Sequence, residues 1–264
     1  TMSGGTKKDM AVMELDELSF RKVLPYLTPD VILVTNLYRD SFSRNANPDF
    51  IFNVMSHYVS PKTKLVLNAD DLISCRLAPQ DANRVYYSIG RLADDTAEPQ
   101  GIVCDLTACP VCGGKLEYDY CHLRHLGHAT CKSCGFTNPE PDYELTALDR
   151  EAHTFTVCER SHEGAPTHTY RYGNYSITNL YNLFSTVVVA RELGLSAEAI
   201  GASLERGINV TALRYTEEEA DGKRLVAVAS KGENSTATSV ALDTIRKEPG
   251  SKAVVVMLVL PDRL

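Results

Sequence analysis

Short, unbroken apolar runs recur through the first third of the chain. Met10–Leu15 reads as a buried strand with Glu14 at its carboxyl end, and Val31–Thr35, Lys64–Asn68 and Val85–Ile89 read as three more strands. Continuous runs of this length suit strands covered on both faces, as in a parallel sheet. Between them, Leu18–Leu27 and Asp49–Tyr58 carry apolar positions at helical spacing. Strand alternating with helix implies right-handed βαβ units and an α/β fold. Further on, Glu144–Leu148 and His153–Cys158 read as a hairpin or meander. Ile177–Leu193 has the broadest apolar face, from Leu180, Leu183, Phe184, Val187, Val188 and Ala190, with Ser176 or Thr178 as cap and Gly194 as stop. Ser196–Arg206 reads as a second helix capped by Ser196. Leu225–Ala229 and Ala253–Leu260 read as strands around a helix near Thr238–Arg246, the opening of another βαβ unit.

Ligands of open α/β sheets sit off the carboxyl ends of the strands. Glu14, Asn36 and the run Asn68–Asp71 all fall at that edge in this reading. Taken singly, each is also a residue that simply begins a turn.

From Cys104 to about Asp142 the periodicity breaks, and six of the eight cysteines fall between Cys104 and Cys134. Cys109-Pro-Val-Cys112-Gly and Cys131-Lys-Ser-Cys134-Gly are two C-x-x-C-G knuckles with 18 residues between them. Two such knuckles bring four thiolates into a tetrahedron, the geometry of structural Zn²⁺, and leave no open coordination position. The metal ligands are therefore expected to be Cys109, Cys112, Cys131 and Cys134. Cys104 and Cys121 read as spare thiols, and His122, His125 and His128 as surface residues of the ribbon.

The chain has 264 residues, a net charge of −7, 44% hydrophobic residues and 23% charged ones. That is an ordinary globular composition, and its acidic balance argues against non-specific nucleic-acid binding, which needs a basic face. No apolar run approaches the roughly 18 residues of a membrane-spanning helix. The polar stretch Thr1–Asp9 has no signal-peptide core, so a cytoplasmic location is expected. The phosphate-loop, dinucleotide-fold, zincin and serine-elbow motifs are all missing.

Several separated segments together resemble the Mur ligase family, and within it the MurT-type branch. They are AVMELDE (Ala11–Glu17), VTNLYRD (Val34–Asp40), LNADD (Leu67–Asp71), the CPVCG…CKSCGF ribbon with NPEPDY after it, YSITNLYNLFSTVVVARELGL (Tyr175–Leu195), ALRYTEE (Ala212–Glu218) and KGENSTATS (Lys231–Ser239). The inserted Cys₄ ribbon is what marks the MurT-type branch. The resemblance implies a central ATPase-like domain of parallel sheet at 1–103 and 141–211, a zinc-ribbon insertion at 104–140, and the start of a Rossmann-like C-terminal domain at 212–264.

It further implies a carbon–nitrogen ligase with glutamine as amido donor. ATP would activate the α-carboxyl of D-glutamate in lipid II, and ammonia from a GatD-type glutamine amidotransferase would convert it to D-isoglutamine. Glu14, Asn36 and Asp40 would serve Mg²⁺ and the γ-phosphate. Asn68, Asp70 and Asp71 would form the nucleotide-side loop, Asn179 and Asn182 would read adenine, and Arg214 would contact ATP between domains. Arg39 stands where many family members have His, which leaves that position without an assigned role. The sequence departs from the family at both ends: the phosphate loop expected upstream of AVMELDE and the distal C-terminal domain are missing. A fragment, inactive alone, is the expectation, with a degenerate paralogue as its rival. A folylpolyglutamate-like Mur-type ligase and a non-enzymatic zinc-ribbon binding protein are the other readings; the ribbon opposes the first, and the acidic balance with the N-A-D-D and N-x-x-N elements opposes the second.

Overall fold

The computed structural model describes residues 9–37, 47–78, 83–100, 106–172, 177–206 and 215–228, with isolated positions between 238 and 254. A single 3-10 turn, capped where Asp16 accepts the Ser19 N–H, runs into the short helix α1 (Phe20–Val23). This is less helix than the apolar pattern to Leu27 suggests. Pro25 and Pro29 follow closely, and proline disfavours helical geometry in the residue before it. Next come β1 (Val31–Val34), α2 (Pro48–Tyr58), β2 (Lys64–Asn68) and β3 (Arg84–Ile89). Helix α2 starts cleanly because the Asn47 side chain accepts the N–H groups of Asp49 and Phe50, with Pro48 in the first turn.

Strands β4 (Leu116–Leu123) and β5 (Leu126–Cys131) form a separate antiparallel hairpin, and β6 (Tyr143–Asp149), β7 (Thr154–Glu159) and β8 (Thr167–Arg171) return to the main sheet. That sheet has six strands in the order β1-β2-β3-β6-β7-β8. The first four are parallel, and the last three form an antiparallel meander. Helices α3 (Ile177–Glu192) and α4 (Ala197–Glu205) follow; Ser196 caps α4, and Gly194, at φ +87°, ends α3.

Both faces of the sheet are covered, as its continuous apolar strands require. Along β2, Leu65 and Leu67 pack with Ile51 and Met55 of α2, whereas Val66 points to the other face with Phe184 and Val187 of α3. Each such fully buried side chain contributes about 2 kcal/mol. Tyr87 of β3 meets Phe184 edge to face at 5.6 Å.

Three further features depart from the hydrophobic pattern. Residues 10–16 form no strand: Met10, Val12 and Met13 are 58%, 90% and 55% exposed, and β1 finds its ladder partner in β2 alone among the described strands. An apolar run becomes a strand only where a neighbouring ladder accepts it, so Glu14 stands in exposed coil and not at a strand end. Strand β8 escapes the hydrophobic pattern because Tyr170 is its one buried residue. Lastly, among the described residues the strand near Leu225 belongs to a hairpin. It is β10 (Lys223–Val228), paired antiparallel with β9 (Tyr215–Ala220) through Asp221-Gly222. Both turn residues have positive φ, 52° and 68°, the signature of a two-residue hairpin turn. Most of the second expected strand, Ala253–Leu260, lies outside the described residues. No helix among the described residues is long and apolar enough to cross a membrane.

Candidate functional site

The turn after β2 builds itself from its own side chains. Asn68 Oδ1 accepts the Asp70 N–H at 3.0 Å, and Asp71 Oδ1 accepts the Ile73 N–H at 2.9 Å. Asx side chains close turns in this way because they mimic a backbone acceptor. The same residues then reach the neighbouring strand ends. Asn68 Nδ2 donates to Thr35 O at 2.9 Å, and Asp71 Oδ2 accepts the Leu37 N–H at 2.7 Å, which fixes the loop after β1 on either side of Asn36. Asp70 Oδ2 accepts the Ile89 N–H at 2.8 Å and the Tyr181 hydroxyl of α3 at 2.7 Å. Three strand ends and one helix thus converge on two adjacent carboxylates.

Both carboxylates are buried, Asp70 at 2% and Asp71 at 0% exposure. Their electrostatics differ. Burial lifts the Asp70 carboxyl from its ordinary 3.8 to about 6, and the nearby His122 and the Ile89 and Tyr181 hydrogen bonds only limit that rise. For Asp71, burial also pushes upward, but His125 and the Leu37 and Ile73 N–H groups outweigh it and hold the carboxyl below the ordinary value.

The histidines come from the β4–β5 hairpin. Its tip lies against this loop. The Gly127 N–H donates to Asp70 O at 3.0 Å, and buried Asn138 donates from Nδ2 to Ala69 O (2.6 Å) and Gly127 O (2.9 Å) while its Oδ1 accepts the Ala129 N–H (2.7 Å). His122 Nδ1 lies 2.7 Å from Asp95 Oδ1, and its Nε2 lies 2.8 Å from Ile89 O, so both ring nitrogens face oxygen acceptors. His125 Nε2 lies 3.4 Å from Asp71 Oδ1, an ion-pair distance longer than a well-formed hydrogen bond. His122 and His125 side chains have no exposure, contrary to the surface placement expected of them; His128 is part exposed, beside Asp119. The hairpin passes from one face of the sheet to the other. Leu116, Ala129 and Cys131 pack on the α2 side, whereas Leu126 at the tip joins the α3 side.

At the opposite end, the four knuckle cysteines meet. The Sγ atoms of Cys109, Cys112, Cys131 and Cys134 all lie within 4.8 Å of one another, with Cys109–Cys134 at 3.7 Å and Cys112–Cys131 at 3.5 Å. A tetrahedral ion bound at a Zn–S length of about 2.3 Å has sulfur–sulfur edges of about 3.8 Å, so the donor set fits such an ion. Gly113 and Gly135, both at φ +74°, let each knuckle turn back, their N–H groups donating to Cys109 O (2.9 Å) and Cys131 O (3.0 Å). The N–H groups of Val111, Gly114 and Ser133 point at knuckle sulfurs at 3.4 Å. Cys121 is instead buried inside the hairpin, its thiol donating to Arg124 O.

Of the other sequence-derived site residues, Asn36 is half-buried after β1, Asn182 is exposed on α3, and Glu14 is exposed in coil. Asp40, Arg39, Arg214, Cys104 and Lys231–Asn234 lie outside the described residues, as does the side chain of Asn179. Sequence reasoning did not find Tyr181, His122, His125 and Asn138 as partners of the acidic loop. Only the histidines carry a signal, their clustering between the knuckles, and the sequence reads them as surface residues of the ribbon.

No family model matches the chain. Among curated proteins, it is 29% identical over 259 residues to the lipid II isoglutaminyl synthase (glutamine-hydrolyzing) subunit MurT of Staphylococcus aureus (strain COL), and 26% identical over 258 residues to that of Streptococcus pneumoniae (strain ATCC BAA-255 / R6). Each match takes in 97% of this chain and 56% of the relative, so the chain spans just over half the length of these proteins. Among solved structures, a pseudomurein peptide ligase type C from Methanothermus fervidus superposes with a TM-score of 0.62 at 23% identity, over 80% of this chain and 40% of that one. The chain therefore shares its fold with part of that solved structure, and its sequence similarity to MurT subunits extends over nearly the whole chain.

Proposed function

We propose that this chain is the sheet-and-ribbon portion of an ATP-dependent, amide-forming ligase subunit. Its acceptor is the α-carboxyl of D-glutamate in lipid II, and its amine is ammonia released by a GatD-type glutamine amidotransferase partner. The observation that carries this reading is similarity to MurT subunits along 97% of the chain, ribbon included. In the reaction, a carboxylate oxygen attacks the γ-phosphorus of ATP and ADP leaves. Ammonia then attacks the acyl carbon and inorganic phosphate leaves, carrying the oxygen that the carboxylate gave up.

Asn68, Asp70 and Asp71 are proposed to shape the nucleotide side of the site. Their buried, fully engaged side chains suit them to hold strand ends in register. Glu14, Asn36 and Asp40 are proposed for the magnesium and γ-phosphate side, Asn179 and Asn182 for adenine, and Arg214 for the phosphates. Such oxygen ligands would hold Mg²⁺, which would supply neutralisation of the charge on the phosphoryl group being transferred. Zn²⁺ is proposed for the four cysteines, on the sulfur geometry above, as a structural ion with its shell filled. The domain division at 1–103 with 141–211, 104–140 and 212–264 belongs to the same proposal, as does action on lipid II from the cytoplasm.

The test uses the full-length polypeptide that carries this chain, purified with its co-expressed glutaminase. Lipid II, ATP, Mg²⁺ and glutamine are supplied, and the stem peptide is analysed by mass spectrometry. Conversion of one carboxyl to a carboxamide, dependent on ATP and on either glutamine or ammonium, is the expected result. ATP-dependent addition of an amino acid instead would replace this reading with that of a peptide-adding ligase.

A further inference from the structure

His125 sits at the turn between β4 and β5, beside Arg124, which has a left-handed φ of 56° and is only 4% exposed. A non-glycine residue gives up about 1–2 kcal/mol to stand there, so the turn is shaped by what surrounds it. The Tyr118 hydroxyl donates to His125 O at 3.4 Å from within β4. The imidazole, without exposure, meets Asp71 Oδ1, and the other Asp71 oxygen accepts the Leu37 N–H from the loop after β1. Asn36, the neighbour of Leu37, is half-buried at the carboxyl edge of the sheet.

We propose that His125 is a positioning residue: it holds Asp71, Asp71 holds the backbone at Leu37, and the ribbon hairpin thereby sets the loop that carries Asn36. The ribbon is then a wall of the strand-end site and not an ornament on its surface. The link His125–Asp71–Leu37 stands on geometry alone; its effect on nucleotide rests on the ligase reading above. A carboxylate left without its cationic or donor partner in a dry site is under-compensated, which destabilises the closed arrangement of the segments bonded to it.

The experiment uses the full-length polypeptide as H125A, H125Q, D71N and the H125A/D71N double variant. Hydrogen exchange is read at the amides of Leu37 and Ile73, with Val66 in β2 as control, together with metal content and ATP affinity by calorimetry. H125A is expected to speed exchange at Leu37 and Ile73 about tenfold and to leave Val66 and the metal content unchanged. H125Q, which keeps a donor, recovers most of the protection. The double variant exchanges no faster than the faster single one, as coupled residues should. Unchanged exchange at Leu37 in H125A, or additive effects in the double variant, overturns the positioning role. Should H125A fail to fold, H125F, which fills the space but offers no donor to Asp71, takes its place in the same comparison. ATP affinity is expected to fall about tenfold in H125A. Faster exchange with unaltered ATP affinity overturns the link to nucleotide, and with it the assignment of the strand-end site, while the His125–Asp71 contact survives.

Discussion

At the knuckle end of the β4–β5 hairpin, Cys112, Cys134, Lys132, Ser133 and Gly135 stand in solvent; at its tip, Arg124, His125, Leu126 and Gly127 are all buried. The knuckle end is held together by its four clustered sulfurs and tied to the sheet domain by Arg76, which donates to Pro110 O at 3.1 Å. The tip is held by Asn138, by the Gly127 N–H and by His125, all directed at Ala69, Asp70 and Asp71. One short hairpin therefore joins two different kinds of order. Metal-type chemistry closes an exposed loop that has little core of its own, and buried polar contacts lock the other end onto the sheet edge. The lesson is that a ribbon which looks autonomous in sequence can be half of another site.

Substitutions can separate the two ends, and the largest effect is expected at Asn138. N138A strands the Ala69 and Gly127 carbonyls and the Ala129 N–H together, at a cost of about 4 kcal/mol. Urea unfolding of the full-length polypeptide would measure it. Close behind comes G127A. A Cβ there would lie 2.3 Å from Tyr120 O and 2.7 Å from Cys121 Cα, both backbone atoms, so the strands must part. About 3 kcal/mol is expected, read as a lower urea midpoint with the metal still bound.

D70N sharpens the comparison through pH. The folded Asp70 carboxyl titrates at about 6 against 3.8 unfolded, so the stability of its neutral form is complete below pH 3.8 and is lost as pH rises through 6. Asparagine keeps an acceptor for Ile89 and Tyr181 without the charge. D70N should therefore match the parent near pH 4 and exceed it by up to about 3 kcal/mol at pH 8. A constant difference across that range would contradict the assigned cause. Smallest of all is K132A at the knuckle. The Lys132–Glu117 pair, 2.7 Å apart, is 60% and 49% exposed, and its loss should leave the thermal midpoint where it was.

The same division governed what the sequence could say. The knuckles were legible because C-x-x-C-G fixes its geometry locally. Strands β1, β2, β3, β6 and β7 and helices α2, α3 and α4 were legible because burial on one or both faces prints a period on the chain. The acidic loop was legible as a run of Asn and Asp that closes its own turns. Its partners were not: His125 meets Asp71 across 54 positions, and Tyr181 meets Asp70 across 111. Nothing in local spacing records such pairings. Residues 10–15 misled for the converse reason, since their apolar pattern states a wish for burial and not where a partner strand would stand.

The most direct test follows hydrogen exchange after the metal is removed from the full-length polypeptide with a chelator. Four amides report: Gly113 and Gly135 for the knuckles, Gly127 and Ala129 for the tip. Protection should collapse at Gly113 and Gly135 and persist at Gly127 and Ala129, because Gly127 bonds Asp70 O of the sheet domain directly and Ala129 bonds Asn138, which is itself anchored on Ala69 O. Simultaneous loss at all four would contradict the account: the ribbon would then be one metal-dependent unit, and the tip no fixed part of the strand-end site.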